Sequence, residues 1–236
     1  MTQPFRRQSV YHSSLWPELS LLLRENRIEL RLPRAWHMLS SAILPGGFSY
    51  ADAIVNWKVP LNYRCGDPVT DLIQQCAEWG FPSETTIGFM TAAKLTHASV
   101  MESEGDGFKL LCCATAGTRN AARAGLPRET YSAYSPGTIN IVLLIDGRLT
   151  EAAMVNAVIT ATEAKAAALA DLGIREHGNG QPATGTTTDA LAIGVSQDAS
   201  RGPAHAYAGV ATTIGCAIGE AVYAAVRESV RTQHEV

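Results

Sequence analysis

Ser135-Pro-Gly-Thr-Ile-Asn-Ile-Val-Leu-Leu-Ile-Asp146 leads into a long alanine-rich stretch and then into Ala183-Thr-Gly-Thr-Thr-Thr-Asp189. Ile139 to Ile145 is apolar except for Asn140, and its length and β-branched content predict a strand buried on both faces. Asp146-Gly147 ends it. Thr150 suits a helix N-cap, and Glu151 falls in the first turn, where the backbone dipole favours negative charge. No Gly or Pro intervenes before Gly173, a natural stop, and alanine is the best helix former. Asp189 to Val195 reads as the next strand, so the passage is strand, helix, strand.

The polar residues of that helix are few. Asn156, Thr160 and Glu163 share one face by their spacing, while Met154, Val158, Ala161, Ala168 and Leu172 lie on another. A solvated face fits the polar set, and so does a cavity into which Glu163 projects; both readings stand. The loop from Thr184 to Asp189 offers hydroxyls, backbone N–H groups and one carboxylate at short range. That equipment suits gripping an amide, a phosphate or another oxygen-rich ligand, although a plain Thr/Gly turn has the same composition.

The chain's 236 residues are enough for a full core. One domain is expected, over residues 36–230, preceded by an extension, residues 1–35, with an early strand at Ile28 to Leu32. Apolar content of 46% and charged content of 17% are those of a globular protein. A net charge of -3 gives no reason to expect nucleic acid or an anionic membrane as partner. No apolar run is long enough to span a bilayer, and Arg6-Arg7 is not followed by the apolar core of a secretory signal. A cytoplasmic location is expected. Five cysteines at 65, 76, 112, 113 and 216 lack metal-ligand spacing and read as buried, reduced thiols.

Elsewhere, Trp36 to Leu44 predicts a strand ending in Pro45-Gly46-Gly47, a turn that a ligand can approach, with Ser40-Ser41 before it. Tyr50 to Val59 has no clear assignment. Asp67 and Pro68 open a helix with an apolar stripe of Leu72, Ile73, Cys76 and Trp79, closed by Gly80. Thr85 to Ala93 and Thr96 to Met101 read as strands, and Gly105-Asp-Gly107 as the turn of a hairpin with Phe108 to Ala114. Thr115 to Gly125 is read as a strand entering a small turn with Arg119, Asn120 and Arg123, residues 126–136 and 196–203 as loops, and 207–231 as containing a helix, with Val230 to Val236 expected to fray. The expected class is α+β: a mixed sheet of about six to eight strands with helices packed on it.

Several blocks, in order, resemble one family. They are Leu39-Ser-Ser-Ala42 with Gly46-Gly47, Gly88-Phe-Met-Thr-Ala-Ala93, Thr115-Ala-Gly117 with Asn120-Ala121, and Gly137-Thr-Ile-Asn140. Ala161-Thr-Glu-Ala-Lys-Ala-Ala-Ala-Leu169 with Asp171-Leu172, and Ala183 to Asp189, complete the set. In their order and combination they are similar to CbiZ, the adenosylcobinamide amidohydrolases. The resemblance implies hydrolysis of the amide joining the aminopropanol arm to the corrin ring, giving adenosylcobyric acid and 1-amino-2-propanol in cobamide salvage. It implies a corrinoid partner and no cofactor or metal site of the protein's own, since cobalt arrives in the substrate.

Amide hydrolysis needs a nucleophile, a proton donor for the leaving amine and donors for the oxyanion. No Gly-x-Ser-x-Gly elbow is present. Within the matched blocks, Glu163 and Asp189 are candidates to activate water, and Thr186 and Thr188 to donate hydrogen bonds or attack. Asn120, Asn140, Ser41, Gly46, Gly47 and Thr184 are candidates to bind substrate. His97 and His205 are alternative bases, and Trp36, Phe48, Trp57 and Met90 candidate walls of a broad cleft. Two other functions stay open on the residues alone: a non-catalytic corrinoid-binding module, and a phosphate- or nucleotide-binding transferase, the latter lacking a P-loop lysine pattern. Homo-oligomerisation is left open.

Overall fold

The computed structural model describes residues 2–64, 66–127 and 137–235. At its centre is strand β9 (Ile139–Asp146), buried at every position. It lies between two strands, pairing in parallel with β11 (Ala190–Val195) and antiparallel with β7 (Phe108–Ala116). Between β9 and β11 runs helix α2 (Glu151–Asp171). It is capped as the sequence predicts, the Thr150 side chain accepting from Ala153 N, and Gly173 follows it at φ +66°.

The other strands are β1 (Val10–His12), β2 (Ser20–Arg24), β3 (Arg27–Ser40), β4 (Gly47–Lys58), β5 (Thr86–Thr91) and β6 (Ser99–Gly105). The order is β1-β2-β3-β11-β9-β7-β6, with β4 on the other edge of β3 and β5 beside β4. This is the mixed sheet expected, and its nine described strands include three contributed by residues 10–40. Strand β3 forks the sheet. Its first half pairs with β2 and its last residues with β11, while β4 follows it on the other side past an irregularity between Arg31 and Trp36. A short pair, β8 (Ala121–Ala122) with β10 (Gly185–Thr186), stands apart from the main sheet.

The sheet curls because its two faces bury different things. One face packs under α2 and α3 (Thr213–Thr232), where Leu143, Ile145, Met154, Ile193, Ile218 and Val222 share a cluster. Helix α1 (Pro68–Glu78) covers Ala53 and Val55 of β4. The opposite face closes on itself: Ile28 and Leu30 of β3 share a cluster with Leu111, Cys113, Val142 and Leu144. Inside that closed face lies a polar knot. Asn140 Nδ2 donates to Asn56 Oδ1 (3.0 Å) and Met90 O (2.9 Å), and Asn56 Nδ2 donates to Thr115 Oγ1 (2.9 Å). Buried amides are tolerated only when so satisfied.

Some expectations are corrected. Tyr50 to Lys58 belongs to β4, paired on both sides, and its Asn56 points inward to the knot. The strand placed at Thr96 starts at Ser99, because Leu95–His97 forms a 3-10 turn. The end of α3 does not fray: Val230 and Thr232 are buried, and Gln233 Oε1 accepts from Thr118 N. Cys76, Cys112 and Cys113 are buried free thiols, but Cys216 is exposed on α3, beside Glu220; Cys65 lies outside the described residues. Residues 128–136 of the expected loop also lie outside them. Among the described residues no helix is long and apolar enough to cross a membrane.

Met154 is fully buried between α2 and the sheet, and Val155 beside it is exposed. Met154→Ala is expected to cost about 2–5 kcal/mol of stability. Val155→Ala should stay within about 0.5 kcal/mol. Urea unfolding of both variants measures the contrast.

Candidate active site

One end of the curled sheet gathers most of the matched blocks. The register sets Ala116 beside Ile139, Asn140 beside Ala190, Ala192 beside Ser40, and Ser40 beside Gly47. The β8–β10 pair ties the threonine loop to the segment after β7. The far end carries the β6–β7 turn and Asp146, which accepts from Ser196 and Trp16 and pairs with Arg201.

Asp189 organises the near end. Its Oδ1 accepts from Ile139 N (3.1 Å) and from the Thr186 hydroxyl. Its Oδ2 accepts from Thr186 N (3.0 Å) and from Lys165 Nζ (2.5 Å). The side chains of this ion pair are only 12% and 15% exposed, so the carboxylate needs these donors to be buried at all. Gly185 is glycine for the same reason: a Cβ there would collide with Asp189 Oδ2 and crowd Lys165 Nζ. The Thr188 hydroxyl donates to Gly137 O (2.8 Å), and the Thr138 hydroxyl donates to Thr188 O (2.7 Å), fastening the loop to the start of β9. Asn120 Nδ2 donates to Thr187 Oγ1 (2.6 Å).

Beside this cluster opens a cleft of about 110 Å³, with Ser41, Val158, Thr162, Lys165, Asp189 and Leu191 among its walls. Ser41 Oγ accepts from Leu191 N at 3.1 Å. The structure therefore brings Asp189, Thr186, Thr188, Asn120 and Ser41 to one end. Thr184 is there too, but its hydroxyl accepts from Ala124 N (2.9 Å) and holds the loop. Gly46 and Gly47 form the turn between β3 and β4, where Gly47 has φ +79° and open space around it.

Other candidates sit elsewhere. Glu163 is two residues from Lys165 and so roughly 200° around the helix. It is exposed and lines a groove of about 380 Å³ between α2 and α3, with Glu220 and Tyr223. Thr160, assigned to the same polar face, is buried and donates to Ala208 O (2.8 Å). Asn140 spends both amide hydrogens in the knot, which leaves none for a ligand. His205 packs edge-on to Phe108 at the far end. His97 is buried between the N-terminal residues and α3, and desolvation holds its pKa below the usual value. Arg123 Nη1 donates to Pro182 O, while Arg119 lines a separate shallow pocket with Lys94 and His234. Burial pushes the Cys113 thiol up to about 12 and Cys112 higher still, so neither supplies a thiolate. Of the proposed walls, Trp36 is buried against Trp16, Trp57 packs with Trp79 and Tyr63, Met90 is half-buried, and only Phe48 is exposed.

Lys165 is the side chain of this cluster that sequence reasoning passed over. The signal was present. Met154, Val158, Ala161, Lys165, Ala168 and Leu172 are spaced by four, three, four, three and four, so Lys165 interrupts the apolar stripe of α2.

A hydroxyl, a carboxylate and an ammonium within hydrogen-bond reach at the lip of a cleft are the parts of a hydrolase that works through oxygen chemistry on an α+β frame. The chain belongs to the adenosylcobinamide amidohydrolase family, whose model matches residues 18–236. It is 29% identical over 198 residues to an adenosylcobinamide amidohydrolase of Methanosarcina mazei, covering 81% of this chain and 89% of that one. A second, from Halobacterium salinarum, is 30% identical over 215 residues, covering 88% and 85%. Among solved structures, a Burkholderia sp. beta-aminopeptidase aligns over 98% of this chain and 85% of its own at 11% identity, with a TM-score of 0.42.

Lys165→Ala removes the only charged partner that Asp189 has among the described residues, but leaves its backbone donors. The expected loss is about 1–3 kcal/mol, less than for a fully stranded charge. Chemical denaturation of the variant gives the figure.

Proposed function

We infer that this chain hydrolyses the aminopropanol amide of adenosylcobinamide, releasing 1-amino-2-propanol and adenosylcobyric acid, which serves corrinoid salvage. Family membership supports the substrate. The observation that carries the mechanism is the Asp189 carboxylate bridging the Thr186 hydroxyl and the Lys165 ammonium beside the cleft.

In this reading Thr186 Oγ1 attacks the amide carbon as its proton passes to Asp189. Proton transfer accompanies attack rather than preceding it. Lys165 faces the developing oxyanion and stabilises it in a site largely closed to water. The C–N bond then breaks, the leaving nitrogen takes the proton held by Asp189, and the acyl group remains as an ester on Thr186. Water, giving up a proton to Asp189, hydrolyses the ester to the corrinoid acid and restores the hydroxyl.

Thr186→Ala and Asp189→Asn are each expected to lower kcat by about 10²–10⁴-fold. Glu163→Gln, on the other side of α2, should leave it within about twofold. The measurement is aminopropanol release from adenosylcobinamide by mass spectrometry. Full activity in both site variants overturns the mechanism, and binding without cleavage by the native chain overturns the reaction.

A further inference from the structure

The cleft beside Asp189 measures about 110 Å³. Sites that enclose a drug-sized ligand run to roughly 300–1,000 Å³. On the reading above, only the amide arm can enter it, and the macrocycle must rest outside. The surface next to the cleft has the form such a ring needs.

Alternation along β3 sends Met38 into the interior cluster and leaves His37 and Leu39 on the helix-covered face. Phe48 stands opposite Leu39, and Tyr50 opposite His37. The His37 ring stacks on both, with centroids 5.4 Å from Phe48 and 5.1 Å from Tyr50 at interplanar angles of 26° and 22°. Phe48 is 45% and Tyr50 65% exposed, so among the described residues no helix covers these two rings. Across from it, Glu151, Val155, Val158, Thr162 and Lys165 form one stripe along α2. That stripe starts with Glu151 Oε1 4.0 Å from His37 Nε2 and ends at Asp189. Val155 within it is 47% exposed. Three of the ten large apolar side chains exposed among the described residues, Phe48, Tyr50 and Val155, thus stand on the two elements that His37 and Glu151 bring together, and the α2 stripe continues into the cleft at Val158, Thr162 and Lys165.

We propose that the surface between these two elements is the seat of the corrin ring, with the Phe48–His37–Tyr50 stack as its aromatic platform and Val155 as the facing rail. A corrin is a flat, largely apolar macrocycle with amide arms at its rim, and exposed stacked rings are suited to bind its face. The scale agrees. Four residues of strand separate His37 from Ser41 at the cleft, about 13 Å at roughly 3.3 Å per residue, which spans a macrocycle and the root of one arm. The proposal rests on the reaction inferred above for its ligand but not for its geometry.

The test measures both the Kd for adenosylcobinamide, by equilibrium dialysis, and the steady-state kinetics of aminopropanol release. Phe48→Ala and Tyr50→Ala should each raise Kd and KM about tenfold with the loss absent from kcat. Val69→Ala, which removes an exposed apolar side chain from α1, is the control and should shift neither. Native hydrolysis with Kd unchanged in both platform variants overturns the proposal and leaves the reaction standing. Native binding without hydrolysis removes the reaction, and the Kd shifts then decide the platform alone. Loss of self-association in Tyr50→Ala with unchanged Kd would give the patch to a second copy of the chain and overturn the proposal.

Discussion

A carboxylate that is mostly shielded from water must be compensated on every side, and in this fold Asp189 imposes that demand on three separate stretches of chain. Ile139 supplies an N–H from the start of the central strand, Thr186 an N–H and a hydroxyl from the loop, and Lys165 a charge from the helix. Gly185 contributes by having no side chain. Strand, helix and loop can satisfy one group only if β9, α2 and β11 keep their relative placement. The same requirement that makes the core cohere therefore fixes the polar groups at its edge.

The central passage was readable because its cues are local. Apolar β-branched residues, a threonine cap and a glycine stop act over a few positions, and the strand, helix and strand appear where those cues put them. The N-terminal part of the sheet was less legible. Tyr50 to Val59 alternates poorly because a register irregularity opposite Arg31 to Trp36 changes which side chains face inward, and only the paired strand reveals that. The late α3 residues looked frayed because their partners, Thr118 and Gln3, are remote in sequence.

The site divides in the same way. Asp189, Thr186 and Asn120 were visible in short motifs, and they meet. Glu163 and Lys165 were both visible as residues, but helix rotation sends them to different faces, and a polar residue at an exposed spacing drew attention from a charge set in an apolar stripe. Asn140 was legible as a polar break in a buried strand. That its amide is consumed by Asn56 and Met90 depends on how far the sheet curls, which no local pattern encodes.

Strand β11 is inserted between β3 and β9 although it follows them both in the chain. During synthesis, residues 37–40 and the whole of β9 wait with a free hydrogen-bonding edge until residues 190–195 emerge and thread between them. Such high contact order slows folding and leaves nascent chains with two adhesive borders. Asp189 arrives one residue ahead of that last insertion, so the act that seals the sheet also brings the carboxylate to the donors from Ile139 and Lys165.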